Sequence, residues 1–281
     1  MIAYFNSRYL PKADIRIEPD DRGFLLGDGV YEVTPCYDGR FLALERHLDR
    51  LRSGLEQLRI EGADLAAIEA ASQELIRRNG LDTGKAIVYF QVTRGVGPRT
   101  HAFPKPPVPP TVYGYAAGVA PKFDPAVGVS AISVPDLRWS RCDIKSISLV
   151  ANCLANQQAQ EAGAFEAILV RDGVALEGTH TGLLAVFDGE VWTGPKTTLA
   201  LPSITRDLVL ELCAELGIAA REAPIRHERL PRADEIILVG TTTEVLSVVR
   251  LDGGLVGDGR PGPISARLLA AFRDLVRSLA R

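Results

Sequence analysis

Leu44, Leu48, Leu51, Leu55 and Leu58 recur at a spacing that only a helix gathers on one side. A helix striped in this way needs an apolar layer to lie on. The neighbouring sequence supplies it. Val30 to Tyr37 reads as a strand, followed by a short strand around Phe41. Beyond the helix, Ile87-Val88-Tyr89-Phe90-Gln91-Val92-Thr93 is β-branched and aromatic and reads as another strand. Between them, Asp64 to Arg78 reads as a second helix, ended by Asn79-Gly80 as a left-handed cap.

The rest of the chain continues in short elements. A Gly/Pro loop carrying Arg99 and His101 follows the aromatic strand. Pro104 to Pro110 holds five of the eighteen prolines and reads as a stiff loop before a strand at Thr111 to Ala116. Gly, Pro and Ala break the pattern again between Gly118 and Pro125, where a boundary is expected. The expected units are 1–117, a linker at 118–125, and 126–281. In the second part, Gly128 to Val134 reads as a strand and Ser146 to Ala162 as a helix. Strands are expected at Glu166 to Arg171, Gly182 to Asp188, Glu190 to Thr193 and Glu235 to Val239. Helices are expected at Thr205 to Gly217 and from Ile264 onward. Short strands mixed with segregated helices point to an α+β fold. No GxGxxG follows a strand, so a Rossmann site has no support, and there is no internal repeat.

Charge narrows the possible partners. The net charge of -3, with signs mixed along the chain, gives no electrostatic case for nucleic acid or an anionic membrane. Cys36, Cys142, Cys153 and Cys213 are scattered and form no CxxC pair, so neither a metal site nor a redox motif is expected. Reduced thiols are expected instead. Met1 to Arg8 has no apolar core of signal-peptide length, and no stretch of the chain has the apolar length of a membrane span. A cytoplasmic protein is the expectation.

Several side chains are candidates for chemistry. Lys145 lies in Asp136-Leu137-Arg138-Trp139-Ser140-Arg141-Cys142-Asp143-Ile144-Lys145-Ser146, flanked by apolar Ile144, Ile147 and Leu149. Desolvation favours a neutral, nucleophilic amine. Taken alone, Lys145 reads as an ordinary lysine snorkelling from a helix start. Glu177 alone reads as a turn glutamate, Arg50 as a solvated helix arginine and Leu201 as a core leucine. Pro202-Ser203-Ile204-Thr205-Arg206-Asp207 reads as a helix start capped by Ser203, whose free amides suit an anion. Gly240-Thr241-Thr242-Thr243 is a hydroxyl-bearing turn after a strand. Arg99 and His101, an i, i+2 pair, can aim at one carboxylate. They read equally as solvated surface.

Together these runs resemble the fold-type IV enzymes dependent on pyridoxal 5′-phosphate (PLP), most nearly the D-amino acid aminotransferases. The resemblance rests on Gly27-Asp28-Gly29-Val30-Tyr31-Glu32, Arg50, Arg94-Gly95-Val96-Gly97-Pro98-Arg99-Thr100-His101, the Lys145 run, Leu176-Glu177-Gly178-Thr179 and the two anion-type turns. It extends over roughly residues 4 to 275. It implies a small α/β N-terminal domain, a barrel-like C-terminal domain and PLP held between them. Lys145 would form the Schiff base and carry the α-proton, and Glu177 would face the ring nitrogen. Arg50, the amides of Ile204 and Thr205, and Thr241 with Thr242 would hold the phosphate. Leu201 would pack on the ring face and Arg138 would lie near the ring hydroxyl. Tyr31 would lie on the substrate side with Glu32 beside the lysine, and Arg99 with His101 would grip the substrate carboxylate.

The implied activity is ping-pong transamination between a D-amino acid such as D-alanine and a 2-oxo acid such as 2-oxoglutarate, in a homodimer. Aminodeoxychorismate lyase, branched-chain L-aminotransferase and (R)-amine transaminase are the alternatives on the same fold. The chain departs from the family pattern at Thr179-His180-Thr181-Gly182-Leu183. Small hydroxyl residues and then asparagine are usual there, so His180 either adds a cation near the phosphate or fills space.

Overall fold

The computed structural model describes residues 1–120 and 123–279. Chain contacts divide these residues into two units. The first contains Met1–Ala120 and the short segment Ile144–Ser148; the second contains 123–143 and 149–279. The linker expected over 118–125 includes Pro121 and Lys122, and the last expected helix runs toward Ala280 and Arg281. Those four residues lie outside the described ones.

The first unit is built from β1 (Ile2–Phe5), β2 (Arg8–Pro11), α1 (Arg22–Leu26), β3 (Gly29–Tyr37), β4 (Arg40–Phe41), α2 (Leu44–Leu58), α3 (Leu65–Arg78), β5 (Lys85–Thr93) and β6 (Thr111–Gly118). The strands form an antiparallel sheet in the order β2-β1-β6-β5-β3-β4. Leu48, Leu51 and Leu55 of α2 and Ile68, Leu75 and Ile76 of α3 cover one face, meeting Val30, Val88, Phe90 and Val92. The α2 stripe is therefore the core contact that its spacing requires. The Asp64 side chain caps α3 by accepting from the Ala67 amide, and Gly80, at φ +64°, ends it. Strand alternation sends tyrosines to the opposite face. There Tyr31 stacks on Tyr89 and Tyr89 on Tyr115, with centroids 5.6 and 5.1 Å apart.

The second unit contains β7 (Val129–Pro135), α4 (Val150–Glu161), β8 (Glu166–Arg171), β9 (Val174–Gly178), β10 (Gly182–Phe187), β11 (Glu190–Thr193), α5 (Ile204–Glu215), β12 (Ala220–Glu222), β13 (Ile225–Arg226), β14 (Glu235–Gly240), β15 (Glu244–Leu251), β16 (Gly254–Leu255) and α6 (Pro263–Ser278). Within its sheet, β10, β14, β15, β7, β8 and β9 pair in turn, and β9 pairs back to β10 at Glu177 and Gly182. This closes a small barrel, the barrel-like domain that the resemblance implies. Its apolar filling includes Ile168, Leu183, Ala185, Ile236, Leu238 and Val248. On α4, Ala155 and Ala159 pack on Val134, Ala167 and Leu169. Among the described residues no helix is long and apolar enough to cross a membrane.

The helix expected from Ser146 begins only at Val150. The backbone before it is already committed to β3. The Tyr31 amide donates to the Lys145 carbonyl at 2.9 Å, and the Ile147 amide donates to the Gly29 carbonyl at 3.1 Å. Ser146 bridges Val30, and the Ser148 hydroxyl donates to the Gly27 carbonyl at 3.1 Å.

Candidate active site

The segment laid along β3 brings Lys145 to Tyr31. Lys145 is half-buried, with Nζ 4.4 Å from the centre of the Tyr31 ring. No carboxylate among the described residues pairs with it. On the other side of β3, Glu32 is buried. It accepts from Arg50 through Nε at 2.9 Å and Nη2 at 2.6 Å, and its Oε1 lies 2.9 Å from Nδ1 of His47. Burial alone would raise the Glu32 pKa. The charge and hydrogen bonds of Arg50, with His47, outweigh it and hold the carboxyl well below the ordinary range. Burial also lowers the His47 pKa. Glu32 opposes that shift, while the charges of Arg50 and Lys145 add to it. His47 went unread in the sequence; its place one turn before Arg50 on a buried helix face was the available signal.

Arg99 and His101 are exposed, and neither is hydrogen-bonded or ion-paired to another described residue. Their loop is nevertheless anchored from beneath. Arg22, buried in α1, donates from Nη1 to the Thr100 carbonyl at 2.7 Å and more weakly to those of Pro98 and Ala102. Its Nε bonds Asp28 at 2.8 Å, and Asp28 also accepts from Arg94 at 2.8 and 2.9 Å. Arg94 stacks on Phe103 at 3.5 Å and donates to the Leu58 and Arg59 carbonyls. Burial raises the Asp28 pKa, but the two guanidiniums bring it below the ordinary range. Local pattern gives no hint that Arg22 is buried.

At the barrel seam, Glu177 accepts from Arg138 and from the Leu201 amide. Arg138 Nη1 reaches its Oε1 at 2.5 Å, and the Leu201 amide lies 3.1 and 3.2 Å from the two oxygens. Leu201 is half-buried beside it. Arg138 in turn binds Asp136 through Nε at 2.8 Å and Nη2 at 3.1 Å, and Arg171 reaches the same carboxylate at 3.0 Å. Burial raises the Asp136 pKa, but Arg138 and then Arg171 outweigh it and leave it lowered. Asp136 and Arg171 were not singled out by sequence reasoning.

The turn after β9 is organised by Glu166, whose side chain is fully buried. Its carboxylate accepts from the Thr179 hydroxyl at 2.5 Å and the Thr181 hydroxyl at 2.8 Å. His180 Nδ1 lies 3.0 Å from it while the ring stays 47% exposed. Burial raises the Glu166 pKa; His180 and the two hydroxyls reverse the shift. Only glycine fits at 178, because a Cβ there would stand 2.2 Å from Thr181 Oγ1 and 2.6 Å from Glu166 Oε2. Gly182 sits against α5, where a Cβ would lie 3.4 Å from Ser203 Oγ; one at Gly240 would lie 3.6 Å from the His180 carbonyl. The 179–182 turn therefore adjoins both the start of α5 and the 241–243 turn. The Ser203 hydroxyl caps α5 by accepting from the Arg206 amide. That cap leaves the buried Ile204 and Thr205 amides, the first of the helix, outside the intrahelical ladder. Thr241 is half-buried and Thr242 exposed.

The sequence-predicted residues thus form a Lys145–Tyr31–Glu32–Arg50 group and an Arg99–His101 loop in the first unit. In the second they form an Arg138–Glu177–Leu201 group and a Thr179–His180–Ile204–Thr205–Thr241 cradle. Arg50 is found on Glu32, a contact its helical position did not foretell.

The antiparallel sheet unit and the closed small barrel agree with the two domains that the fold-type IV resemblance implies, and the family match bears the resemblance out. The profile of the amino-transferase class IV family matches residues 29–251, and the chain belongs to that family. It is 38% identical to a D-alanine aminotransferase of Bacillus licheniformis, over 99% of this chain and 98% of the relative. The branched-chain amino acid aminotransferase of Escherichia coli superposes with a TM-score of 0.90 at 26% identity, over 98% of this chain and 94% of that one. A T.th. branched-chain amino acid aminotransferase, solved with N-(5′-phosphopyridoxyl)-L-glutamate, gives 0.89 at 25%, over 99% and 94%.

Proposed function

We propose that the chain transfers amino groups between D-amino acids such as D-alanine and 2-oxo acids such as 2-oxoglutarate, with PLP as cofactor. The half-buried Lys145 amine, free of any carboxylate partner among the described residues, carries this reading. The full-length likeness to D-alanine aminotransferase supports the choice of substrate.

The residues present fit the cofactor. The left-over amides of Ile204 and Thr205 suit a phosphate, with Thr241, Thr242, Thr179 and His180 around them. Arg50, oriented by Glu32, is assigned as its cation. Glu177, oriented by Arg138 and the Leu201 amide, is assigned to the ring nitrogen, and Leu201 to the ring face. When bound, PLP supplies an aldehyde for an amine and a ring that takes up the electrons of the α-carbon.

The chain's own work is binding and proton transfer. Lys145 Nζ would hold the cofactor between turnovers, and its released amine would take the substrate α-proton and pass it to the cofactor carbon that carried the aldehyde. Tyr31 lies under Nζ and limits where the amine can reach. Arg99 and His101 take the substrate carboxylate, fixing which face of the α-carbon meets Lys145. Donor product leaves before the acceptor enters, as a ping-pong cycle requires. We place the enzyme in the cytoplasm as a homodimer.

Arg99→Ala tests the carboxylate assignment. It is expected to raise KM for D-alanine at least tenfold with little change in kcat, the mark of lost binding common to ground and transition states. An unchanged KM removes Arg99 from the site.

A further inference from the structure

Glu177 stands at the end of a series of alternating charge. Arg171 Nη2 bonds Asp136 Oδ2 at 3.0 Å. Asp136 holds Arg138 Nε at 2.8 Å and Nη2 at 3.1 Å, and accepts the Arg138 amide at 3.0 Å. Arg138 Nη1 holds Glu177 at 2.5 Å. The side chain of Asp136 is fully buried, and those of Arg138 and Glu177 are 8% and 9% exposed. Arg171 is also tied down, donating to the Arg138 carbonyl at 2.7 Å. Arg138 Nη2 adds a bond to the Leu199 carbonyl at 3.1 Å, next to the stretch whose Leu201 amide holds Glu177.

We propose that Asp136 and Arg171 are positioning residues that act through Arg138 on Glu177, fixing its carboxylate and balancing its charge toward the cofactor's ring nitrogen. This rests on the assignment of Glu177 to that nitrogen. Two guanidiniums face two carboxylates, so the series is formally neutral, and it can accept a protonated ring nitrogen without an excess of positive charge nearby. Had Arg138 met Glu177 alone, its charge would oppose that proton. Asp136 offsets it, and Arg171 keeps Asp136 from being overloaded with negative potential. Buried groups feel such changes strongly because little water screens them. The geometry matters as well. Asp136 grips Arg138 on its Nε edge, so the guanidinium plane cannot turn and carry Glu177 with it.

The test compares two probes on the full chain, stripped of cofactor and titrated by fluorescence. One is PLP; the other is the analogue in which C–H replaces the ring nitrogen. Both offer the same aldehyde and phosphate, so the ratio of their dissociation constants isolates the contribution of the ring nitrogen. The parent chain is expected to prefer PLP. Asp136→Asn keeps the shape but leaves two guanidiniums facing one carboxylate, and is expected to shrink that preference about tenfold, mainly by weakening PLP. Arg171→Gln leaves one guanidinium facing two carboxylates, and is expected to keep or enlarge it. A purely structural role would weaken both probes together in both variants, and that result overturns the proposal, as does an unchanged ratio in Asp136→Asn. Equal binding of the two probes by the parent chain overturns the Glu177 assignment itself, and the relay with it. Melting of each apo variant separates misfolding from these outcomes, and if Asp136→Asn does not fold, a shrunken preference in Arg171→Gln refutes the charge order.

Discussion

Arg22→Met tests whether the Arg99–His101 loop depends on what lies beneath it. The substitution keeps the apolar stem and deletes the guanidinium of a side chain only 2% exposed. It removes the 2.8 Å bond to Asp28 and the 2.7 Å bond to the Thr100 carbonyl. Breaking a buried pair by removing one partner costs about 3–5 kcal/mol, chiefly by stranding the other charge. Asp28 is not stranded, because Arg94 still donates to it at 2.8 and 2.9 Å. Residues 98–102 are exposed, so water can satisfy their carbonyls. The loss should therefore lie at the low end, about 3 kcal/mol, or a fall of roughly 6–12 °C in Tm at about 2–4 °C per kcal/mol. Once the loop is unpinned, Arg99 and His101 must be ordered by the substrate itself. KM for D-alanine is then expected to rise about tenfold, with kcat within about threefold of the parent, since only binding is weakened. Thermal melting of the protein and steady-state kinetics, run in parallel with Arg99→Ala, provide the assay. A lowered Tm with an unchanged KM would refute the reasoning, showing that Arg22 staples the fold but does not present the loop.

Acid should destabilise the fold. Glu32, Asp28, Asp136 and Glu166 all have lowered pKa values when folded, so their contribution is complete above the ordinary carboxylate range and is lost as pH falls through the lowered folded values. His47 acts in the same direction: its folded pKa is lowered, so below about 6.5 the unfolded chain takes up the proton more readily. Tm measured against pH should be level around neutrality, fall progressively below it, and fall again at alkaline pH, where burial holds Cys36 and Cys213 protonated up to about 11 when folded; a maximum under pH 5 would contradict this assignment of charges. Ser203→Ala removes the α5 cap and should cost about 1 kcal/mol, seen as a drop of a few degrees in Tm, and no change would show that the 3.2 Å bond to the Arg206 amide contributes nothing.

What was legible in the sequence was what is local. Helices α2 and α3 have strong 3.6-residue stripes, and Ser203 and Asp64 cap the helices whose starts they mark. The start of α4 was misplaced because Ser146 faces a competing demand from Val30, more than a hundred positions away, which periodicity does not see. The short α1 and the edge strands β1 and β2 carry too few residues for a period to show. Strand β15 is an apolar run behind the Thr turn, yet it joins β14 and β7 through pairings set by barrel closure. The site divides in the same way. Lys145, Glu177 and the α5 start stand in recognisable runs. Arg22, His47, Asp136, Glu166 and Arg171 are ordinary charged residues until the fold buries them against partners, so their importance lies in tertiary contacts.

The most direct measurement is the absorbance spectrum of the purified protein before and after D-alanine, and then L-alanine. The account predicts a band near the visible edge, from PLP held by Lys145, that bleaches with D-alanine and persists with L-alanine. Lys145→Ala should lack both the band and the response. A band that responds to L-alanine, or to neither enantiomer, would contradict the assignment to D-amino acids while leaving the cofactor in place; no band after incubation with PLP would contradict the account at its root.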